Sequence, residues 1–82
     1  MAKALSQREL AWAFDAPVSD INMAVALCPK VSTKRPYTYD VEVVRQALAK
    51  FYANHARNAE RRVEDWKRKE RRVLSVEIGE NG

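Results

Sequence analysis

The chain has 82 residues, with 15 lysines and arginines against 11 aspartates and glutamates, so its formal net charge is +4. So short a chain forms one domain with a small core, which disfavours a deep catalytic cleft and places function on the surface. The positive balance favours an anionic partner such as nucleic acid.

The sequence has a single cysteine, Cys28, and a single histidine, His55. It therefore offers no cluster of these residues that could form a catalytic or metal-binding site. We therefore expect a protein that is not an enzyme, that holds no metal and that uses no cofactor. A lone cysteine suits a reducing compartment, so we expect the cytoplasm, or the host cytoplasm if the chain is viral. No apolar run approaches the roughly 20 residues that span a bilayer, so no membrane association is expected.

The first predicted helix runs from Gln7 to Phe14. Ser6 followed by Glu9 has the spacing of a capping box, in which each side chain accepts a hydrogen bond from a backbone amide at the helix start. Trp12 is interpreted as a core residue of this helix. The segment Asp15-Ala16-Pro17 then ends the helix, because proline disfavours the helical conformation in the residue before it.

A second helix is predicted from about Val18 to Leu27, since proline is well tolerated at the first turn of a helix. Residues 28–40 then combine two prolines, several β-forming residues and three cations. This composition predicts a loop or a small β-hairpin. Asp40 is expected to cap the helix that follows.

The third predicted helix is long, because residues from Val41 to about Val73 include no glycine or proline. Its apolar positions step by three or four residues: Val44, Leu48, Phe51, His55, Ala59, Val63 and Trp66. Beyond Arg57 the stripe thins among eight basic and four acidic residues at positions 57–72. We expect this half to project into solvent or to pair with another chain. Residues 74–78 alternate apolar and polar side chains, as a short strand would.

The predicted fold class is therefore mainly α, a short helix-turn-helix with a small β-hairpin wing and a long C-terminal helix. Residues 1–56 would form a winged helix-turn-helix head. Residues 57–73 would be a basic extension of the third helix, and residues 74–82 a short strand or a disordered tail.

Two stretches resemble a known family. Residues 8–18, RELAWAFDAPV, resemble the QLAxxFGxSxxTI stretch that opens the DNA-binding domain of phage terminase small subunits of the lambda type. That fold is shared with excisionases and mercury-resistance-type regulators. Tyr39-Asp40 followed by Val43-Val44 resembles the YD…AVIKWY entry into their third helix. The resemblance covers roughly residues 6 to 54 and implies that the second helix enters the major groove, that the wing touches the DNA backbone or the minor groove, and that the long helix makes a tightly intertwined dimer.

The residues expected to contact DNA lie on the second helix and in the wing: Ser19, Asn22, Met23, Lys30, Thr33, Lys34, Arg35 and Tyr37. The second helix includes no arginine or lysine, and its Asp20 is expected to face the phosphates unfavourably. The residues expected at the dimer interface are Phe51, Tyr52, Val63 and Trp66.

Two functions remain open at this point. The first is a small phage-type DNA-binding protein, for packaging or regulation, that binds duplex DNA as a homodimer. The alternative is a non-enzymatic protein-interaction adaptor or inhibitor, which would dock on a host or virion protein through its charged helix and through a strand at residues 74–78.

Overall fold

A computed structural model of the chain describes residues 4–32 and 34–77. These residues form β1 (Ala4–Ser6), α1 (Gln7–Phe14), α2 (Val18–Val25), β2 (Thr38–Asp40), α3 (Val41–Asn58) and α4 (Val63–Ser75). The prediction of a mainly α fold with a small antiparallel β element is thus confirmed.

Both predicted helix caps are present. In the capping box of α1, the Ser6 amide donates to Glu9 Oε1 at 3.0 Å and the Glu9 amide donates to Ser6 Oγ at 3.4 Å. At the start of α3, Asp40 Oδ1 accepts from the amides of Glu42 (2.9 Å) and Val43 (3.2 Å). Each side chain satisfies amides that have no partner within the helix, which fixes where α1 and α3 begin.

The two-stranded sheet pairs β1 with β2, so β2 has a partner strand outside the wing. The strands are antiparallel, with Leu5 opposite Tyr39. On its other side Tyr39 bridges to Lys30, and the Val31 amide donates to the Thr38 carbonyl at 2.8 Å. Residues 4–6, which form β1, were not predicted to pair, yet β1 anchors the wing, residues 28–40, to the start of α1.

The core lies where α1, α2 and α3 meet. Its largest fully buried side chains outside α4 are Leu10, Phe14, Ile21, Val44, Leu48 and Tyr52. Placing Trp12 in this core was wrong, because its side chain is 86% exposed. Leu10 and Phe14 define the inward stripe of α1, and Trp12 projects from the opposite side of the helix.

The prediction of one long third helix was also wrong. The helix ends at Asn58, Ala59 is extended, and Arg62 has a left-handed backbone with φ of 61°. A left-handed conformation costs a residue with a side chain roughly 1–2 kcal/mol. The cost is offset because α4 folds back along α3 and buries Val73, so residues 57–73 are not a projecting extension.

Arg45, on α3, forms a hydrogen bond with α4. The side chain is buried, and its Nη1 donates to the Val73 carbonyl at 2.6 Å while its Nε donates to Glu42 Oε2 at 3.1 Å. Its guanidinium carbon also lies 5.5 Å from the centre of the Phe14 ring. Val73 lies in the last turn of α4, where carbonyls lack helical partners and the helix dipole favours a cation.

The end of α4 also revises the predicted tail. Leu74 and Ser75 belong to the helix, and the Val76 amide donates to the Arg72 carbonyl at 2.9 Å. A strand beginning at Leu74 was therefore wrong for its first two residues. Ile78 lies outside the described residues.

Tyr52 joins α3 to α2. Its phenol is buried and donates to Asp20 Oδ2 at 2.9 Å. Burial raises the pKa of Tyr52, and the hydrogen bond to the Asp20 carboxylate and its negative charge raise it further.

The two tryptophans test the packing of α4. Trp66 is half-buried, with its ring centre 5.9 Å from that of Tyr52 and 4.5 Å from that of His55. We expect Trp66→Ala to lower the free energy of unfolding by about 2 kcal/mol, less than the ~3–5 kcal/mol of a fully buried ring. Trp12→Ala, on an exposed ring, is the control and should stay within about 0.5 kcal/mol of the parent. Urea unfolding measures both, and equal losses would contradict the packing of α4 on α3.

Tyr52 should make stability fall at alkaline pH. Its pKa in the folded chain lies above the value of about 10 in the unfolded chain, so above pH 10 the unfolded state loses this proton first and becomes favoured. Tyr52→Phe should therefore flatten the loss of unfolding free energy above pH 10, and Asp20→Asn should flatten it less because burial remains. Denaturant unfolding from pH 8 to 11 measures the slope. A slope unchanged in Tyr52→Phe would contradict this environment for the phenol.

Candidate nucleic-acid interface

The outer face of α2 presents the residues expected to read bases. The turn from Phe14 to Val18 is three residues long, as in helix-turn-helix units. Ile21, Ala24 and Val25 are buried against the core, so the opposite side of the helix faces solvent. On that side Ser19, Asn22 and Met23 are all exposed, as their predicted role requires.

Asp20 does not share that face. Its carboxylate accepts the Tyr52 hydrogen bond described above, so it is directed at α3. The expectation that Asp20 would face phosphates unfavourably was therefore wrong. Helical spacing places Asp20 next to Ser19 and does not show which way its side chain points. No pattern in the sequence indicated that Tyr52 would be its hydrogen-bond partner.

Two of the three cations of the wing lie beside the aromatic ring of Tyr37. Lys30 Nζ lies 4.1 Å from the centre of the Tyr37 ring, and the guanidinium carbon of Arg35 lies 5.8 Å from it. Lys34 is exposed. Its backbone is fixed by Ser32, whose Oγ donates to the Lys34 carbonyl at 2.8 Å and accepts from the Lys34 amide at 3.2 Å. Thr33, the remaining wing residue predicted to contact DNA, lies outside the described residues.

A groove of about 730 Å³ separates the wing from the start of α1. Two arginines and two tyrosines are among the residues that line it: Ser6, Gln7, Arg8, Arg35, Pro36, Tyr37 and Tyr39. Gln7 Nε2 donates to Asn22 Oδ1 at 3.4 Å, which connects the groove to the outer face of α2. We call this continuous area, from Asn22 through the groove to the wing, the α2–wing surface.

Gln7 and Arg8 were not among the predicted site residues. The capping box indicated that they lie in the first turn of α1, and Arg8 was expected to point outward. What the sequence could not show is that β1 pairs with β2 and so brings the wing beside this turn.

The cations of the α2–wing surface are available to an external anion. Within residues 4–32 and 34–77, the ion pairs closer than 4.0 Å or at that distance do not include these four cations: Arg8, Lys30, Lys34 and Arg35. Nearby carboxylates are used elsewhere, since Asp40 caps α3 and Asp20 binds Tyr52. These four cations are therefore not engaged in ion pairs with the described carboxylates.

Of the four residues predicted for a dimer interface, Phe51, Tyr52 and Trp66 lie together in the seam between α3 and α4 of a single chain. Tyr52 is only 2% exposed, and the Phe51 ring packs on it with 5.6 Å between ring centres. Trp66 stacks on His55, and Val63 is half-buried at the start of α4. In the single chain these side chains therefore stabilise the fold, and a role between chains stays a prediction.

Cys28 is placed for packing. Its thiol donates to the Ala24 carbonyl at 3.3 Å, and burial raises its pKa, which disfavours the reactive thiolate. The described residues include no group of three or more histidines, cysteines and carboxylates arranged to hold a metal ion.

Among the described residues, no helix combines the length and the apolar composition that a membrane crossing requires. Comparisons with protein-family models, with curated proteins and with solved structures find no match to the chain.

Proposed function

We propose that this protein binds duplex DNA without catalysing a reaction, with α2 in the major groove and the wing against the sugar-phosphate backbone. The observation that carries the proposal is the continuity of the α2–wing surface. The contact between Gln7 and Asn22 joins an exposed polar helix face to a groove whose cations form no ion pair with the described carboxylates.

Base reading and affinity come from different parts of this surface. The α2 face has Asn22 for a bidentate pair with adenine, Ser19 as a donor or acceptor, and Met23 for a thymine methyl group. Because α2 includes no arginine or lysine, the charge that attracts phosphates comes from the wing and from Arg8. Such contacts position the protein and make binding sensitive to salt.

We further propose that the protein acts as a homodimer on two half-sites, in DNA packaging or regulation of the phage type. The support is the resemblance of residues 6–54 to terminase and excisionase heads. Its place of action would be the cytoplasm, of the host cell if the chain is viral, where that DNA lies.

One observation favours the adaptor as a second candidate. Trp12 is 86% exposed and Leu27 is 84% exposed, and large aromatic side chains are enriched where proteins bind each other. A host or virion protein would be the partner. The predicted strand at residues 74–78 supports this candidate less, because Leu74 and Ser75 belong to α4.

The wing cations should govern affinity for any duplex sequence. We expect Lys34→Gln with Arg35→Gln to weaken binding to random-sequence DNA about tenfold or more and to reduce the slope of log affinity against log salt by about two. Fluorescence anisotropy at low and moderate salt measures both. Lys67→Gln with Arg71→Gln, which removes equal charge from α4, is the matched control and should keep the parent slope. If the parent chain does not bind even at low salt, the adaptor becomes the better proposal.

Asn22 should govern sequence preference instead. After a preferred site is selected from a random pool, Asn22→Ala should lower discrimination between that site and random DNA by about tenfold, the effect of losing one bidentate base contact. Affinity for random DNA should change little. Gln46→Ala, an exposed amide on α3, is the control. Equal discrimination by the Asn22 variant and the parent would show that α2 does not read bases through this residue.

A further inference from the structure

The two sides of α4 differ in charge. A furrow of about 290 Å³ along this helix is lined by Arg62, Asp65, Trp66, Arg68, Lys69 and Arg72. We call it the basic furrow, since it holds four cations and one carboxylate. The other charged residues of α4 balance one another: Glu64, Lys67, Glu70 and Arg71. The excess positive charge of α4 is thus confined to one side.

Two of the four furrow cations form ion pairs, Arg68 with Asp65 and Arg72 with Asp15, and among the described residues Arg62 and Lys69 form none. Arg68 lies 4.0 Å from Asp65, and both side chains are more than half exposed, so the pair contributes little. Lys69 Nζ lies 4.6 Å from the centre of the Trp66 ring, a contact that places the ammonium without neutralising it.

The Trp66 ring identifies the kind of ligand. His55 stacks on it with 4.5 Å between ring centres, and Lys69 lies over it. Because the ring already has these two neighbours, an unpaired base has little room to stack there. The ligand that matches the furrow is an anion without an aromatic face, and guanidinium groups bind phosphate oxygens in a paired geometry.

The position of the furrow relates it to the α2–wing surface. Arg72, at its C-terminal end, forms an ion pair with Asp15. Asp15 follows α1 directly, in the turn that leads into α2. In helix-turn-helix complexes the first helix crosses the DNA backbone, and the N-terminal residues of the second helix contact base edges in the major groove. The furrow therefore ends beside the part of the molecule that approaches phosphates.

We infer that the basic furrow is a second backbone-binding surface, which takes phosphates of the same duplex that α2 and the wing contact. This inference rests on the proposed function. It assigns to α4 a role in positioning the protein on DNA, and it extends the contacted backbone past the turn between α1 and α2.

The test compares two double variants that remove equal charge from one helix. Arg68→Gln with Lys69→Gln empties the furrow of two cations, and Lys67→Gln with Arg71→Gln removes two from the opposite side. Anisotropy is measured on random-sequence duplex DNA of two to three helical turns. We expect the furrow variant to bind about tenfold more weakly, with a salt slope reduced by about two, and the control to keep the parent slope. Arg68→Lys with Lys69→Arg keeps the charge and should bind as the parent does.

The outcomes separate the inference from the function on which it rests. If the furrow variant binds as the parent does while Lys34→Gln with Arg35→Gln loses affinity, the furrow inference is wrong and DNA binding stands. Equal losses in the furrow variant and its control would also overturn it, because only overall charge would matter. No binding by the parent at low salt would overturn both. Polyglutamate that binds the parent but not the furrow variant, while duplex DNA binds both equally well, would overturn the inference and assign the furrow to an acidic protein.

Discussion

The buried guanidinium of Arg45 holds the two parts of this chain together. Val73 is the one buried side chain of α4 and Trp66 adds a half-buried ring, so the apolar contacts of this charged helix come from few side chains. Arg45 supplies a hydrogen bond to the Val73 carbonyl at the negative end of the α4 dipole. Burying a charge is costly unless its donors are satisfied, and here Val73, Glu42 and the Phe14 ring surround it. From its place on α3, this one cation thus contacts residues of α1 and α4.

Hydrogen bonds within the fold hold two carboxylates near the α2–wing surface, those of Asp20 and Asp40. Tyr52 draws the Asp20 carboxylate inward, and Asp40 is used as a cap, so negative charge is withdrawn from the side where α2 and the wing lie. Among the described residues, the wing cations form no ion pair with a carboxylate. Most carboxylates of the chain remain exposed, so the positive charge of this surface comes from the clustering of cations in the wing.

Local chemistry made much of this predictable. The caps at Ser6 and Asp40, the bounds of α1 and the exposed face of α2 followed from residue types and spacing. The break after Asn58 did not, because the linker has no glycine or proline and an apolar stripe of the same period serves one long helix or two packed ones equally well. Tertiary packing decided between them. The same limit applies to Gln7 and Arg8, whose place beside the wing depends on a strand of three residues.

The contrast between the two indoles has a practical consequence. Trp12 lies in solvent on α1, and Trp66 lies against His55 and Tyr52 in the seam between α3 and α4. Their fluorescence should differ in wavelength and in quenching, since emission depends on the polarity and the neighbours of the ring. The chain thus has two built-in optical probes, one for events on the surface of the head and one for separation of α4 from α3.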